Sequence, residues 1–436
     1  MQMPDRRRFL QVSAALAAGG AAAPLVADEP KPAAKPAGPN EVVRVALVGV
    51  RGRGLEHLAG YAGLHDARIT AICDADENVI GKAMRGVEIR YGGKPKYVQD
   101  IRRLLEDPEI DAVSIATPNH WHSLMSIWAC QAGKHVYVEK PVSHNVVEGR
   151  RMVEAARKYD RVVQTGTQCR SNRGMVEAID FIKKGNIGKV YMARGLCYRW
   201  RPSIGHKPVG DVPKGLDFDL WTGPAALKPY NPNTTHYNWH WVWNTGNGDL
   251  GNQGIHQMDI ARWGLGKQTF PNTVQSTGGR FAVDDDAETP NTQSVAMEFD
   301  DCLLQFEVRG LPTPSEAEAK VGVIFYGSTG VVAITSYTDW QSYRGEKLEK
   351  GPGGRGGGDH FGNFVAAVKA GKRDTLAADI EEGHLSSAYC HLGNIAYKLG
   401  RKLHIKPGAE SFVDDSEADA MLTRQYRAPF VVPDKV

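Results

Sequence analysis

Short β-branched apolar runs alternate with amphipathic stretches through the first part of the chain. Residues 43–48 form the first run, which ends at Gly49, and from Leu55 the apolar spacing becomes helical. A second run covers 69–73. Helices are then predicted over 76–90, 100–106, 122–132 and 146–159, with strands over 112–116, 135–138 and 161–165. Strands separated by helices of this length predict a parallel, doubly wound sheet. From Gly166 the pattern changes. An amphipathic helix over 174–184 leads to a strand over 190–196, and alternating strands follow at 292–299, 303–308, 321–326 and 331–336. Asp300-Asp301 joins the first pair and Ser328-Thr329-Gly330 the second, both as hairpin turns. Two helices, 359–370 and 380–399, close this half, and His384 and His391 share a face of the second. The expected fold is α/β: a Rossmann unit over 42–166, an α+β domain with a mostly antiparallel open sheet over 167–400, and a wrapping tail over 401–436.

The turn after the first strand is the first candidate for chemistry. Gly49, Gly52 and Gly54 stand between strand and helix, where free N–H groups and the helix dipole hold a pyrophosphate. Arg51 stands where the G-x-G-x-x-G pattern has its second glycine, and Gly52 serves one residue later. Asp74 ends the second strand, twenty residues past Gly54, where a carboxylate accepts the ribose 2′-hydroxyl of NAD. Arg51 and Arg53 are placed to meet phosphate. Because Asp74 would repel a 2′-phosphate, NAD is expected before NADP.

Composition changes this picture little. The 436 residues suggest two or three domains, and 42% hydrophobic with 24% charged residues is ordinary for a soluble globular protein. The charge of +3 gives no reason to expect nucleic acid or an anionic membrane as partner. Arg6, Arg7 and Arg8 against Asp5 account for most of it. The six cysteines are scattered without a C-x-x-C pair and read as buried thiols. Arg6-Arg7 followed by Phe9-Leu10 and an alanine-rich apolar run has the form of a twin-arginine export signal over 1–27, with a flexible linker over 28–41. Export by that route implies a periplasmic location and a protein that folds around its nucleotide beforehand.

Ligands of a doubly wound sheet sit at the carboxyl ends of its strands. Thr117, Pro118, Asn119 and His120 follow one strand, Glu139 and Lys140 the next, and Gln168 the last. Burial and a nearby nicotinamide would both lower the pKa of Lys140, leaving an amine able to take a hydroxyl proton. Further on, Asn252, His256 and Asp259 share a face if 251–264 is one helix. The segments ATPNHWH, VYVEKPVSHN and GNQGIHQMDIARWG resemble the Gfo/Idh/MocA oxidoreductases, over about residues 42–401. That resemblance implies an NAD(P)-dependent oxidoreductase for a sugar or polyol hydroxyl, with Lys140 in proton transfer and His256 as its partner. It also implies homo-oligomers formed through the open sheet. Polyol dehydrogenases of the family carry an acid four residues before the histidine. Asn252 stands there here; it can orient a hydroxyl but cannot relay a proton. An NAD-dependent glycosidase that oxidises its sugar transiently is the alternative reading. A sugar-binding protein with a purely structural nucleotide is a third.

Residues 197–243 hold five of the nine tryptophans, among several tyrosines and histidines. Trp239, Trp241 and Trp243 alternate, so on a strand they would share a face, either as core or as a platform for a sugar ring. Trp239 and His384 are candidate substrate contacts with Asp259. The pairs His120/His122 and His236/His240 have ligand-like spacing, but no third ligand is fixed, and no metal is expected. The glycine-rich stretch 351–358 lacks a P-loop's Lys-Ser/Thr ending and reads as a mobile loop.

Overall fold

The computed structural model describes residues 42–436, so the export signal and linker lie outside the described residues. The first half is a six-stranded parallel sheet: β1 (Val43–Val48), β2 (Ala67–Cys73), β3 (Lys96–Val98), β4 (Ala112–Ile115), β5 (His135–Val138) and β6 (Val163–Thr165). Their spatial order is β3-β2-β1-β4-β5-β6, which places the switch point between β1 and β4. Helices α1 (Arg53–Ala62), α2 (Gly81–Tyr91), α3 (Ile101–Leu105), α4 (Asn119–Gln131) and α5 (Val146–Lys158) make the crossovers. β1, β4 and β5 are largely buried, as their apolar runs require, whereas β3, which the sequence reading did not include, is a partly exposed edge strand. Two elements differ from the sequence reading at their starts. α2 begins at Gly81, after a polar turn at residues 76–80. α4 begins at Asn119, directly after the extended Pro118, so His120 and His122 are helical.

The second half opens with α6 (Arg173–Lys183), β7 (Val190–Cys197), α7 (Phe218–Thr222), α8 (Gly248–Asn252) and α9 (Gly254–Leu265). Strands β8 (Thr273–Gly279), β9 (Thr292–Glu298), β10 (Leu303–Arg309), β11 (Val321–Gly327), β12 (Gly330–Ile334), β13 (Asp339–Arg344) and β14 (Glu349–Arg355) follow. Then come α10 (His360–Ala370), α11 (Ile380–Leu399), β15 (Leu403–His404) and α12 (Ser416–Ala420). The nine strands run β14-β13-β12-β11-β7-β10-β9-β8-β15, antiparallel except for β7 beside β10. Both anticipated hairpins form, β9–β10 and β11–β12. Helices α6, α9 and α11 bury one face of this sheet in a core that includes Met175, Met258, Phe306, Phe325 and Leu392.

Four expectations are corrected. The glycine-rich stretch is largely β14, an edge strand paired with β13; glycine is required at 353, where a Cβ would lie 2.7 Å from the Trp340 carbonyl. Trp239 and Trp241 are not on a strand: residues His236–Trp241 form a 3₁₀ helix, closed by the Val242 N–H on the Trp239 carbonyl. The helix expected at 251–264 is broken at Gln253, between α8 and α9. α10, expected to close the second half, instead packs on α1 and β1, with Phe364 and Val365 in the same core as Val45 and Leu47.

Candidate active site

A cavity of about 420 Å³ opens at the carboxyl ends of the parallel strands. One end is built by the β1–α1 turn. Gly49 has φ +83°, and a Cβ there would lie 2.8 Å from the backbone of Ala116 and Thr117, so the turn can be this tight only with glycine. Gly54 is needed for close packing, since a Cβ would meet the Gly49 carbonyl at 1.9 Å. Gly52 faces open space and caps α1 without a side-chain hydrogen bond, so no side chain fills the space at the helix start. Arg51 and Arg53 line the same end.

Asp74, at the end of β2, also lines the cavity, and its carboxylate accepts the Val50 and Asp76 N–H groups at 2.8 and 3.1 Å. Burial pushes its pKa up to about 6 against those two hydrogen bonds. Thr117, Pro118 and Asn119 form the next stretch of wall, and Asn119 donates to the Asn247 side chain at 2.9 Å. Glycine turn, uncapped helix start and ribose-side carboxylate together suit a dinucleotide.

Glu139 and Lys140 end β5 and are differently partnered. Glu139 accepts from Arg53 Nε at 2.8 Å and lies 3.1 Å from His57 Nε2, whose other nitrogen meets Ser114 Oγ at 2.9 Å. Burial alone would raise the Glu139 pKa, but Arg53 and His57 outweigh it and hold the carboxyl well below its usual range. Among the described residues the Lys140 amine pairs with no carboxylate; Nζ donates to the Asn252 carbonyl at 3.2 Å. Burial lowers its pKa, only partly opposed by Glu139.

The opposite wall comes from the second half. Asn252 and Gln253, Arg199 and Arg201, and the aromatic group Trp221, Tyr237, Trp239 and His240 line it. Trp239 stacks on His240 with ring centres 3.6 Å apart. This wall is clipped to the first sheet. His236 Nε2 lies 3.0 Å from Asp76, Glu77 N–H donates to the Gly215 carbonyl at 3.0 Å, and Asn78 donates to the Lys214 carbonyl at 2.9 Å.

Several sequence candidates stand outside this cavity. Asp259 is fully buried, held by Arg170 at 2.9–3.0 Å and by the Ser386 hydroxyl at 2.6 Å; it joins α9 to its neighbours and is not a substrate contact. His384 is buried on α11 against Glu410 at 2.8 Å. His120 points away into carbonyls of Trp221 and Thr245, at 3.0 and 3.3 Å, and burial drops its pKa to about 3. Gln168 begins a 3₁₀ turn and is not part of the wall. His256 is buried outside the wall, with Nδ1 unpartnered; burial first, then the Lys140 charge, keep it neutral. Trp241 and Trp243 are also off the cavity, each under a cation, Arg201 at 5.0 Å and Lys398 at 4.0 Å.

The sequence reading missed Arg199, Arg201 and Gln253, and the Arg53–Glu139–His57 group. The second had a visible signal: Arg53, His57 and Tyr61 recur every four residues, hence on one face of α1.

Residues 43–167 match the NAD-binding Rossmann fold of the Gfo/Idh/MocA oxidoreductase family, and 188–432 match that family's C-terminal alpha/beta domain. The chain is 32% identical over 201 residues to glycosyl hydrolase family 109 protein 2 of Shewanella sp. (strain ANA-3), covering 43% of this chain and 44% of that one. It is 31% identical over 152 residues to a myo-inositol 2-dehydrogenase of Thermotoga maritima, covering 35% and 44%. The match thus spans under half the length of these curated relatives. Among solved structures, the WlbA dehydrogenase of Bordetella pertussis in complex with NADH and UDP-GlcNAcA superposes with a TM-score of 0.64 at 19% identity, over 84% of this chain and 99% of that one. A levoglucosan dehydrogenase in complex with NADH and L-sorbose gives 0.65 at 17%, over 84% and 99%. Likeness at that identity is likeness of fold.

Proposed function

The chain belongs to the Gfo/Idh/MocA oxidoreductase family, and on that premise we propose that it moves a hydride between NAD and a hydroxyl-bearing carbon of a sugar or polyol. NAD, when bound, supplies the hydride acceptor or donor. Gly49, Gly52 and Gly54 with Arg51 and Arg53 hold its phosphates, and Asp74 its ribose. The observation that carries the reading is Lys140: a partly buried amine at a strand end, on a carbonyl rather than a carboxylate, with its pKa lowered by burial. Such an amine takes the hydroxyl proton as the carbinol is oxidised. Asn252 orients the hydroxyl; His256, held neutral by burial and by the Lys140 charge, takes no proton. The apolar face of the ring lies on Trp239.

A second reading is redox-neutral glycoside hydrolysis through transient oxidation and elimination, favoured by the likeness to a glycosyl hydrolase family 109 protein. A single-turnover experiment separates the two. With a sugar substrate, a dehydrogenase builds up NADH absorbance; with an aryl glycoside, the hydrolase releases aglycone with no net change there. Lys140→Met should bind nucleotide and lose turnover about 10²-fold or more in either case. Full activity in that variant refutes both.

We place the protein in the periplasm, from Arg6-Arg7 ahead of Phe9-Leu10. A double lysine replacement should hold it in the cytoplasm, and unchanged export refutes the signal. Copies are proposed to pair through the open face of the second sheet; a monomer in sedimentation refutes that.

A further inference from the structure

The charges lining the cavity are unevenly paired. Its acids, Asp74, Asp100 and Glu139, all belong to the first half, and each is engaged: by backbone N–H groups, by Arg102 at 2.7 Å, and by Arg53. The wall facing them carries only cations. Arg201 is neutralised by Asp249, with contacts at 2.8 and 3.0 Å. Arg199 is not: its Nη1 donates to the neutral Gln253 side chain at 2.8 Å, and it makes no ion pair among the described residues. Gln253 is itself tied to Tyr337, so the guanidinium is held in place without being neutralised. The contact leaves the Nε–Nη2 edge free, the paired edge that matches a planar carboxylate.

Position decides what that edge can meet. Arg199 is anchored to Gln253, and the Lys140 amine to the carbonyl of Asn252, the preceding residue. Arg199 and Lys140 thus line one cavity and are anchored on adjacent residues of the same wall. We infer that the substrate is an acidic sugar, a hexuronic acid or its glycoside, whose carboxylate is held by Arg199. This rests on the sugar oxidoreductase reading and names the substrate class of the same site. A single guanidinium edge suits a carboxylate monoanion better than a phosphate dianion, which would need further donors.

The test titrates the NADH-loaded full protein calorimetrically with matched sets: glucose, glucuronate and glucose 6-phosphate, and the galactose and mannose equivalents. At least one uronate should bind about 30-fold more tightly than its own hexose, the usual worth of a charge-assisted hydrogen-bond pair. Arg199→Gln should remove that preference and Arg199→Lys recover part of it, with matching melting temperatures showing both variants folded. If every hexose binds as well as its uronate, the inference is overturned while the sugar reading is left intact. So does a preference for the 6-phosphate, or a uronate preference that survives Arg199→Gln. Binding of NADH with no sugar bound overturns both.

Discussion

Glu139 and Lys140 are neighbours in sequence, yet the carboxylate serves Arg53 and His57 while the amine rests on a carbonyl. That division sets the behaviour of Lys140. Burial lowers its pKa from the ordinary 10.5; Glu139 pulls it up and Arg53 pushes it down. The base form accumulates as pH rises, so kcat/KM should climb with pH along a limb below the ordinary lysine value. Arg53→Met frees Glu139 to favour the ammonium and should move that limb to higher pH, whereas a merely structural role would lower activity without moving it. Asp74 works in the opposite sense. Burial raises its pKa to about 6, so its neutral form persists to that pH, and the stability gained from protonation is lost as pH rises through it. Below about pH 6 the ribose loses its anionic acceptor. NAD affinity, measured by fluorescence titration, should therefore weaken there in the wild type and be low and flat with pH in Asp74→Ala. A wild-type affinity independent of pH between 5 and 8 would contradict this role for Asp74.

At the scale of elements, five of the six parallel strands were legible as mostly apolar runs, while β3, three residues long with an exposed lysine, was not; topology pointed to the strand ends but not to which of their side chains face the cavity. The aromatic segment was not. Alternation at Trp239, Trp241 and Trp243 reads as period two, but the Val242 N–H and the Thr245 hydroxyl both donate to the Trp239 carbonyl, and the chain coils into a 3₁₀ turn. Periodicity cannot tell three alternating aromatics on a strand from the same three on a tight turn. The turn sends Trp239 to the cavity and Trp241 to the interior, under Arg201. Trp239→Ala should raise the sugar KM about 3- to 10-fold with little loss of stability. Trp241→Ala should cost about 3–5 kcal/mol in urea unfolding. Equal destabilisation by the two would mean that both are core. The break at Gln253 was likewise invisible, since 251–264 contains no proline and its glycines are tolerated in a helix, but it is what turns the Asn252 carbonyl to Lys140.

On the scale of the whole molecule, the two halves do not finish their own cores. Phe364 and Val365 of α10 complete the packing over β1, and Phe430 and Val432 of the tail complete that over α4. The placement of α10 was not legible, because an amphipathic helix shows which face it buries and not against which sheet; the tail was expected to wrap, but not over which element. The tail does more than cover apolar surface. Phe430 meets Trp121 edge-on with ring centres 5.3 Å apart, and Trp121 Nε1 donates to the Leu220 carbonyl at 2.9 Å. Arg427, three residues earlier, donates to the Gly223 carbonyl at 3.0 Å and pairs with Asp219. The tail thus grips both ends of α7, the helix that supplies Leu220 and Trp221 to the cavity wall. Phe430→Ala should therefore do two things. It should lower stability by about 3–5 kcal/mol, as a buried phenylalanine does, while the exposed neighbour Val431→Ala stays within about 0.5 kcal/mol. It should also raise the sugar KM at a temperature where the variant is still folded, because α7 loses its support, with nucleotide affinity little changed since that end of the cavity is built by the β1–α1 turn. Lost stability with an unchanged KM would show that the tail holds the core alone, and that α7 keeps its place through the clip between residues 214–215 and residues 77–78.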